Sequence, residues 1–220
     1  MKNPWLQLPK QAPFVLEIDQ AKIQNHNQKA NALKKIHTEM YPEPFLGNIN
    51  SEIVLLNLNP GFGGEEDLLT HKSNNNFVEL LKKNLSQEKL QYPFIFLDPK
   101  TEGTPGYKWW NERLKTLIEK VGREKLAKSI LCLEFFPYHS EKFGFSKTIP
   151  SQEYNFHLLK NAIQNKALII SMRSKRYWET HVPELVGYKN FHELNSPQNV
   201  YITQNNCPEG YPEILKRLGL

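Results

Sequence analysis

With 220 residues the chain is long enough to bury a substantial core as one domain, and nothing in its length demands a second. A hydrophobic content of 39% with 11% aromatics excludes a disordered chain, and a net charge of +5 permits a polyanionic partner without requiring one. Two cysteines, Cys132 and Cys207, are too few for an all-cysteine iron–sulfur cluster or a four-thiolate zinc site. The N-terminus lacks the apolar stretch of a signal peptide, and no run approaches the ~20 apolar residues of a transmembrane helix. The expectation is a soluble, cytoplasmic protein, monomeric, with no membrane partner.

Residues 1–16, with Pro4, Pro9 and Pro13, read as an extended arm packed by Trp5, Phe14 and Leu16. Asp19 can cap a helix running toward Met40, which Pro42 and Pro44 end. Glu52–Leu58 is an apolar run of the kind buried on both faces of a sheet. It breaks at Asn59-Pro60-Gly61 and a glycine pair, Gly63-Gly64, so the chain leaves the sheet there. Residues 67–76 are mostly polar and read as a surface loop. Phe77, Leu80, Leu81 and Leu85 recur at helical spacing, and Pro93–Leu97 reads as a second strand. A helix then carries Trp110, Leu114, Leu117, Ile118 and Val121 on one face and stops at Gly122.

Ile130–Phe136 is a third strand, ending at Pro137-Tyr138-His139-Ser140. A helix over Tyr154–Gln164 leads to a fourth strand, Ala167–Ser171, and Ser174 can cap a short helix through Trp178. Weaker strands are expected near Tyr188–Phe191 and Val200–Thr203, and Pro212 begins a final helix. Strands alternating with helices predict an α/β fold: a three-layer sandwich whose mostly parallel central sheet of four or more strands has helices on both faces.

In such sheets ligands bind beyond the carboxyl ends of the strands. The polar clusters that fall there are Asn57/Asn59, Asp98, Glu134 with Tyr138/His139/Ser140, and Ser171/Arg173. A fifth, Asn195/Ser196/Gln198/Asn199, precedes the last extended run. Amides, hydroxyls and one acid or base suit a neutral heterocycle better than a triphosphate. No GxxxxGK[ST] or G-x-S-x-G segment is present, and the glycines after Asn59 lack dinucleotide-fold spacing. The seven histidines form no H-x-x-x-H pair, so neither a metal nor another cofactor is expected. Asn57 and Asn59 can equally be a strand ending in a turn, and Tyr138 can equally be a packed tyrosine.

The segment Leu56-Asn-Leu-Asn59-Pro60-Gly61 resembles the first motif of the uracil-DNA glycosylase superfamily. It is most similar to the mismatch-specific branch, which reads Gly-Ile-Asn-Pro-Gly. Leu194-Asn-Ser-Pro-Gln-Asn199 resembles the later motif of that superfamily, and the two stand in the family's order. The resemblance implies hydrolysis of the N-glycosidic bond of a damaged or deaminated base in DNA, with the nucleotide extruded into a pocket. It places Asn59 at the water-positioning residue and Phe62 near the aromatic that stacks on the base; Asn57 and Tyr138, from their own places at strand ends, are candidates for further base contacts. Arg173, Asn195, Ser196, Gln198 and Asn199 would meet nucleic acid.

Departures from the pattern are specific. Asn57 stands where the motif has glycine, and Leu194, or Asn195 if shifted by one, where it has histidine. Glu134 aligns roughly with the base-reading asparagine, and as a carboxylate it would reject a uracil carbonyl and favour amino-bearing bases. Two other functions fit the residues: a non-catalytic nucleotide or nucleic-acid binder on the same fold, and a hydrolase of another small substrate using Glu134 and His139 as acid and base.

Overall fold

The computed structural model describes residues 1–145 and 147–220. Its described helices are α1 (Glu17–Lys29), α2 (Glu65–Ser73), α3 (Asn75–Ser86), α4 (Pro105–Arg113), α5 (Lys115–Val121), α6 (Arg123–Ser129), α7 (Gln152–Gln164), α8 (Lys175–His181) and α9 (Gly210–Arg217). The strands are β1 (Phe45–Gly47), β2 (Ile53–Asn57), β3 (Ile130–Glu134), β4 (Leu168–Ser171) and β5 (Phe191–Glu193). They form a five-stranded sheet in the order β1-β3-β2-β4-β5, parallel throughout except for the antiparallel β1–β3 pair. The α/β fold, with a mostly parallel sheet between helices, is the predicted one.

The period-two alternation of the central strands divides the core into two layers. Ile53, Leu55, Ile130, Cys132, Leu168 and Ile170 face one layer with residues of α3, α4, α5, α6 and α9. Val54, Leu56, Leu131, Leu133 and Ile169 face the other with α1, α7 and α8, where Trp178 is wholly buried. The arm joins this second layer through Trp5, Val15 and Leu16, while Phe14 packs in the first.

Several elements differ from expectation, each for a physical reason. Residues 67–76 are not a loop: most of them lie in α2 and the start of α3. In α2 only His71 is buried, so no apolar stripe marks the period. Pro93–Leu97 is not a strand but leads into a 3₁₀ turn, Ile95–Leu97, buried because it lies between α3, α4 and α6. A short apolar run alone does not distinguish the two.

The first helix stops at Lys29, and the Asn27 amide, bonded to both the N–H and the C=O of Ile36, holds the following chain, with its short 3₁₀ turn Ala32–Lys34, out of the helix. Asp19 lies inside α1, not at its cap. The long helix after Tyr107 is interrupted at Leu114, which caps α4 and precedes α5. Gly122 ends α5 at φ 77°, a conformation glycine adopts without strain. Ser174 makes no capping bond and is itself left-handed at φ 71°. Val200–Thr203 is not a strand, and the fifth strand starts at Phe191, where the weak expectation ended.

Candidate functional site

Register brings two polar residues together at the sheet's carboxyl edge. Asn57 and Glu134 end adjacent parallel strands and are direct partners across the β2–β3 pair. The Asn57 amide donates to Glu134 Oε1 at 2.9 Å. Both are nearly inaccessible, 6% and 3% exposed, yet both line a cavity of about 310 Å³. Its other walls include Glu43, Asn59, Phe62, Trp109, His139 and Arg173.

Asn57 Oδ1 and Glu134 Oε2 are buried with no protein partner among the described residues, and so is Arg173 Nε. Leaving a buried polar atom unpaired costs roughly 1–3 kcal/mol. Of the eight such atoms, these three line the one cavity, so the cost is concentrated where a ligand can offset it. Burial raises the Glu134 pKa to about 8, although the Asn57 bond and Arg173 act in the opposite direction. At neutral pH Glu134 is therefore a carboxylic acid. Oε1 accepts from Asn57, so the proton sits on Oε2, the unpaired oxygen.

Asn59 follows β2 where Pro60 and Gly61 take the chain out of the sheet. Its amide group donates to Pro60 O at 2.9 Å and Ser140 Oγ at 3.1 Å, which leaves Oδ1 as the atom able to accept from a water. Phe62 stacks on His37, ring centroids 3.6 Å apart, and presents its remaining surface to the cavity. Trp109 is half-buried and also lines the cavity, and the Arg113 guanidinium lies 4.7 Å from its ring centre. Arg173 follows β4, and its backbone N–H donates to Leu56 O beside Asn57.

Glu43, which the sequence reading did not single out, enters from the segment before β1. It is buried, and its Oε1 lies 3.8 Å from His71 Nε2 and 3.7 Å from His139 Nε2. Burial, then Asp67 and Glu134, push its pKa well up. Burial also holds His71 well down. The donor atoms of Glu43, His71 and His139 lie within 4.8 Å of one another, a set that could hold a metal on distance alone. The histidine tautomer opposes this. The Tyr41 N–H donates to His71 Nδ1, so neutral His71 carries its proton on Nε2, the atom that would have to ligate. A ligating histidine instead donates its second N–H outward.

His139 faces a backbone carbonyl at each ring nitrogen: Gly61 O at 2.7 Å from Nδ1 and Tyr41 O at 3.0 Å from Nε2. Neither nitrogen offers a lone pair to the cavity, which removes the basis for His139 as a base acting directly on substrate. Tyr138 is a correction. It does not line the cavity but is buried in the second core layer, donating to Asp19 Oδ2 at 2.8 Å and accepting from Leu16 N–H at 3.2 Å.

Asn195, Ser196, Gln198 and Asn199 also stand apart from the cavity lining. Their loop follows β5 on the same sheet edge and is tied to itself: Asn206 accepts from Ser196 N–H and donates to Asn199 O and Tyr201 O. Leu194, at the later motif's histidine position, is buried in the first core layer. The signals for Glu43 and His71 were slight: an acid between two prolines in an apolar stretch, and a histidine in a polar one. No family model, curated protein or solved structure matches the chain.

Proposed function

We propose that this crevice binds a nucleobase by its hydrogen-bonding edge and hydrolyses the N-glycosidic bond that holds it, acting on a damaged or deaminated base in DNA. The observation that carries this reading is the pair of unpaired buried atoms, Asn57 Oδ1 and Glu134 Oε2, side by side in the cavity. With Glu134 protonated they are one acceptor and one donor, the complement of a ring N–H beside a carbonyl. Uracil, hypoxanthine and xanthine present that edge; cytosine and adenine present the reverse. The preference for amino-bearing bases expected of an ionised Glu134 is thus inverted by burial.

Phe62 and Trp109 supply aromatic walls for the base plane, a contact worth ~1–3 kcal/mol. Asn59 Oδ1 orients the attacking water. Glu43 and Asp67 bring acidic groups to the same cavity, a suitable counterpart for the positive charge that develops on a sugar as the bond lengthens. Arg173 and the exposed amides of the 195–199 loop lie on the same edge of the sheet and supply contacts for phosphates.

The test is base release from single- and double-stranded oligonucleotides carrying uracil, hypoxanthine or xanthine, with protein in excess. Release of at least one oxo base is expected, and Asn59→Ala should lower it by ~10²-fold through loss of water orientation. Retention of the oligonucleotide with no release from any of them leaves a binding module. Undiminished release by Asn59→Ala removes the water-positioning role.

A further inference from the structure

Hydrolysis at neutral pH needs a group that accepts the proton of the attacking water, and the amide of Asn59 cannot. Four carboxylates line the cavity: Glu43, Asp67, Glu134 and Glu141. Asp67 is engaged by the Gly63 N–H at 2.8 Å, Glu134 is tied to Asn57, and Glu141 is exposed to solvent. Glu43 is buried against the cavity, and no side-chain hydrogen bond occupies it among the described residues.

One segment fixes Glu43 and Asn59 on the same wall. The Glu43 N–H donates to Pro137 O at 2.9 Å, and three residues on Ser140 Oγ accepts from Asn59. Between these anchors His139 reaches the Asn59 turn through Gly61 O and the chain before Glu43 through Tyr41 O.

We propose that Glu43 is the general base of this crevice, taking the proton of the water that Asn59 orients, with His139 as its positioning residue. The inference rests on reading the crevice as an N-glycosidase site. Backbone carbonyls at both ring nitrogens fix the His139 ring with Nε2 3.7 Å from Glu43 Oε1, while burial holds the His139 pKa down. His71 adds an Nε2–H directed at the same oxygen from α2, while Asp67 on α2 and Glu134 on β3 oppose ionisation of Glu43.

In the step itself a water O–H bond breaks and its proton passes to the Glu43 carboxylate. The water oxygen bonds to C1′ of the sugar, and the C1′–N bond breaks with its electron pair going to the base nitrogen. Glu134 keeps its proton and hydrogen-bonds the base carbonyl as negative charge develops there, and Glu43 then gives up the proton it took, which solvent passes to the base nitrogen so that the base leaves neutral.

The experiment is single-turnover base release between pH 5 and 9 for wild type, Glu43→Gln, Glu43→Asp and His139→Asn. Free-base binding serves as the folding control, and each protein is assayed with and without a chelator. Glu43→Gln should lose ~10²–10⁴-fold in rate and the acid limb of the profile while still binding the base. Glu43→Asp should keep that limb at a lower rate, and it carries the test if the glutamine variant does not fold. His139→Asn should lower the rate by ~10²-fold while the limb and free-base binding stay where they are, because the link that aligns Glu43 with Asn59 is lost.

A Glu43→Gln or Glu43→Asp profile unchanged from wild type overturns the inference, leaving the glycosidase reading intact. Loss of wild-type activity to the chelator also overturns it, making Glu43 a metal ligand. No release by wild type overturns the reading and the inference together.

Discussion

At the scale of single residues, Asn57 and Glu134 carry most of the specificity argued for the crevice. Their polarity at the ends of apolar runs was legible in the sequence, and so were Asn59, Phe62 and Arg173. The protonation of Glu134 was not, since it follows from burial between strands whose pairing no local pattern reveals. That burial has a consequence for stability. A carboxyl whose pKa rises from 4.5 unfolded to about 8 folded binds its proton more tightly in the native state. Stability is therefore lost as pH rises through that window, on the order of a few kcal/mol for this one group. Glu134→Gln has no proton to lose, while Asp19 and Glu43, also raised by burial, remain in both proteins. Urea unfolding at pH 5 and pH 8 should show the variant gaining on wild type at the higher pH. Parallel losses in the two proteins would mean that Glu134 is ionised at no such cost.

At the scale of elements, periodicity served where an element has one apolar face and failed where it has none or is short. The buried β2, β3 and β4 and the striped α3 and α7 were legible. The polar α2 and the three-residue β1 were not, and these two help to frame Glu43 and His71. In β1, a side chain on Gly47 would run into the Ile130 carbonyl, so the antiparallel pairing that closes this edge depends on a glycine at φ 106°. Tyr138 shows the same separation of pattern from place. The Pro137-Tyr138-His139 turn points its tyrosine away from the cavity, tying the arm and α1 to the core through Leu16 and Asp19. Tyr138→Phe should cost about 2–3 kcal/mol in equilibrium unfolding, since it leaves a buried N–H and carboxyl short of a partner. Base binding should be untouched; weakened binding at unchanged stability would put Tyr138 back among the ligand contacts.

At the scale of the whole molecule, the parallel sheet makes one crevice out of residues as distant in sequence as Glu43 and Arg173. The alternation of strands and helices announced that edge, and three of the four polar clusters expected there do follow its strands; Asp98 instead caps the 3₁₀ turn Pro99–Thr101. What converges at its centre depends on register: Asn57 beside Glu134 across β2–β3, with Leu56 opposite Ser171 across β2–β4. The cavity that results combines a donor–acceptor pair, two aromatic walls and an acidic group held by histidines. None of its members alone distinguishes a base from any other small polar ligand. The proposed recognition of a base rests on their combination, and its signature is dependence on the charge of one carboxyl. The most direct measurement is calorimetric binding of uracil, hypoxanthine, cytosine and adenine to wild type and Glu134→Gln at pH 6.5 and 9. Wild type should prefer the oxo bases at pH 6.5 and lose that preference at pH 9, while Glu134→Gln, neutral throughout, keeps it at both. Equal binding of amino and oxo bases at pH 6.5, or a wild-type preference indifferent to pH, would contradict the account.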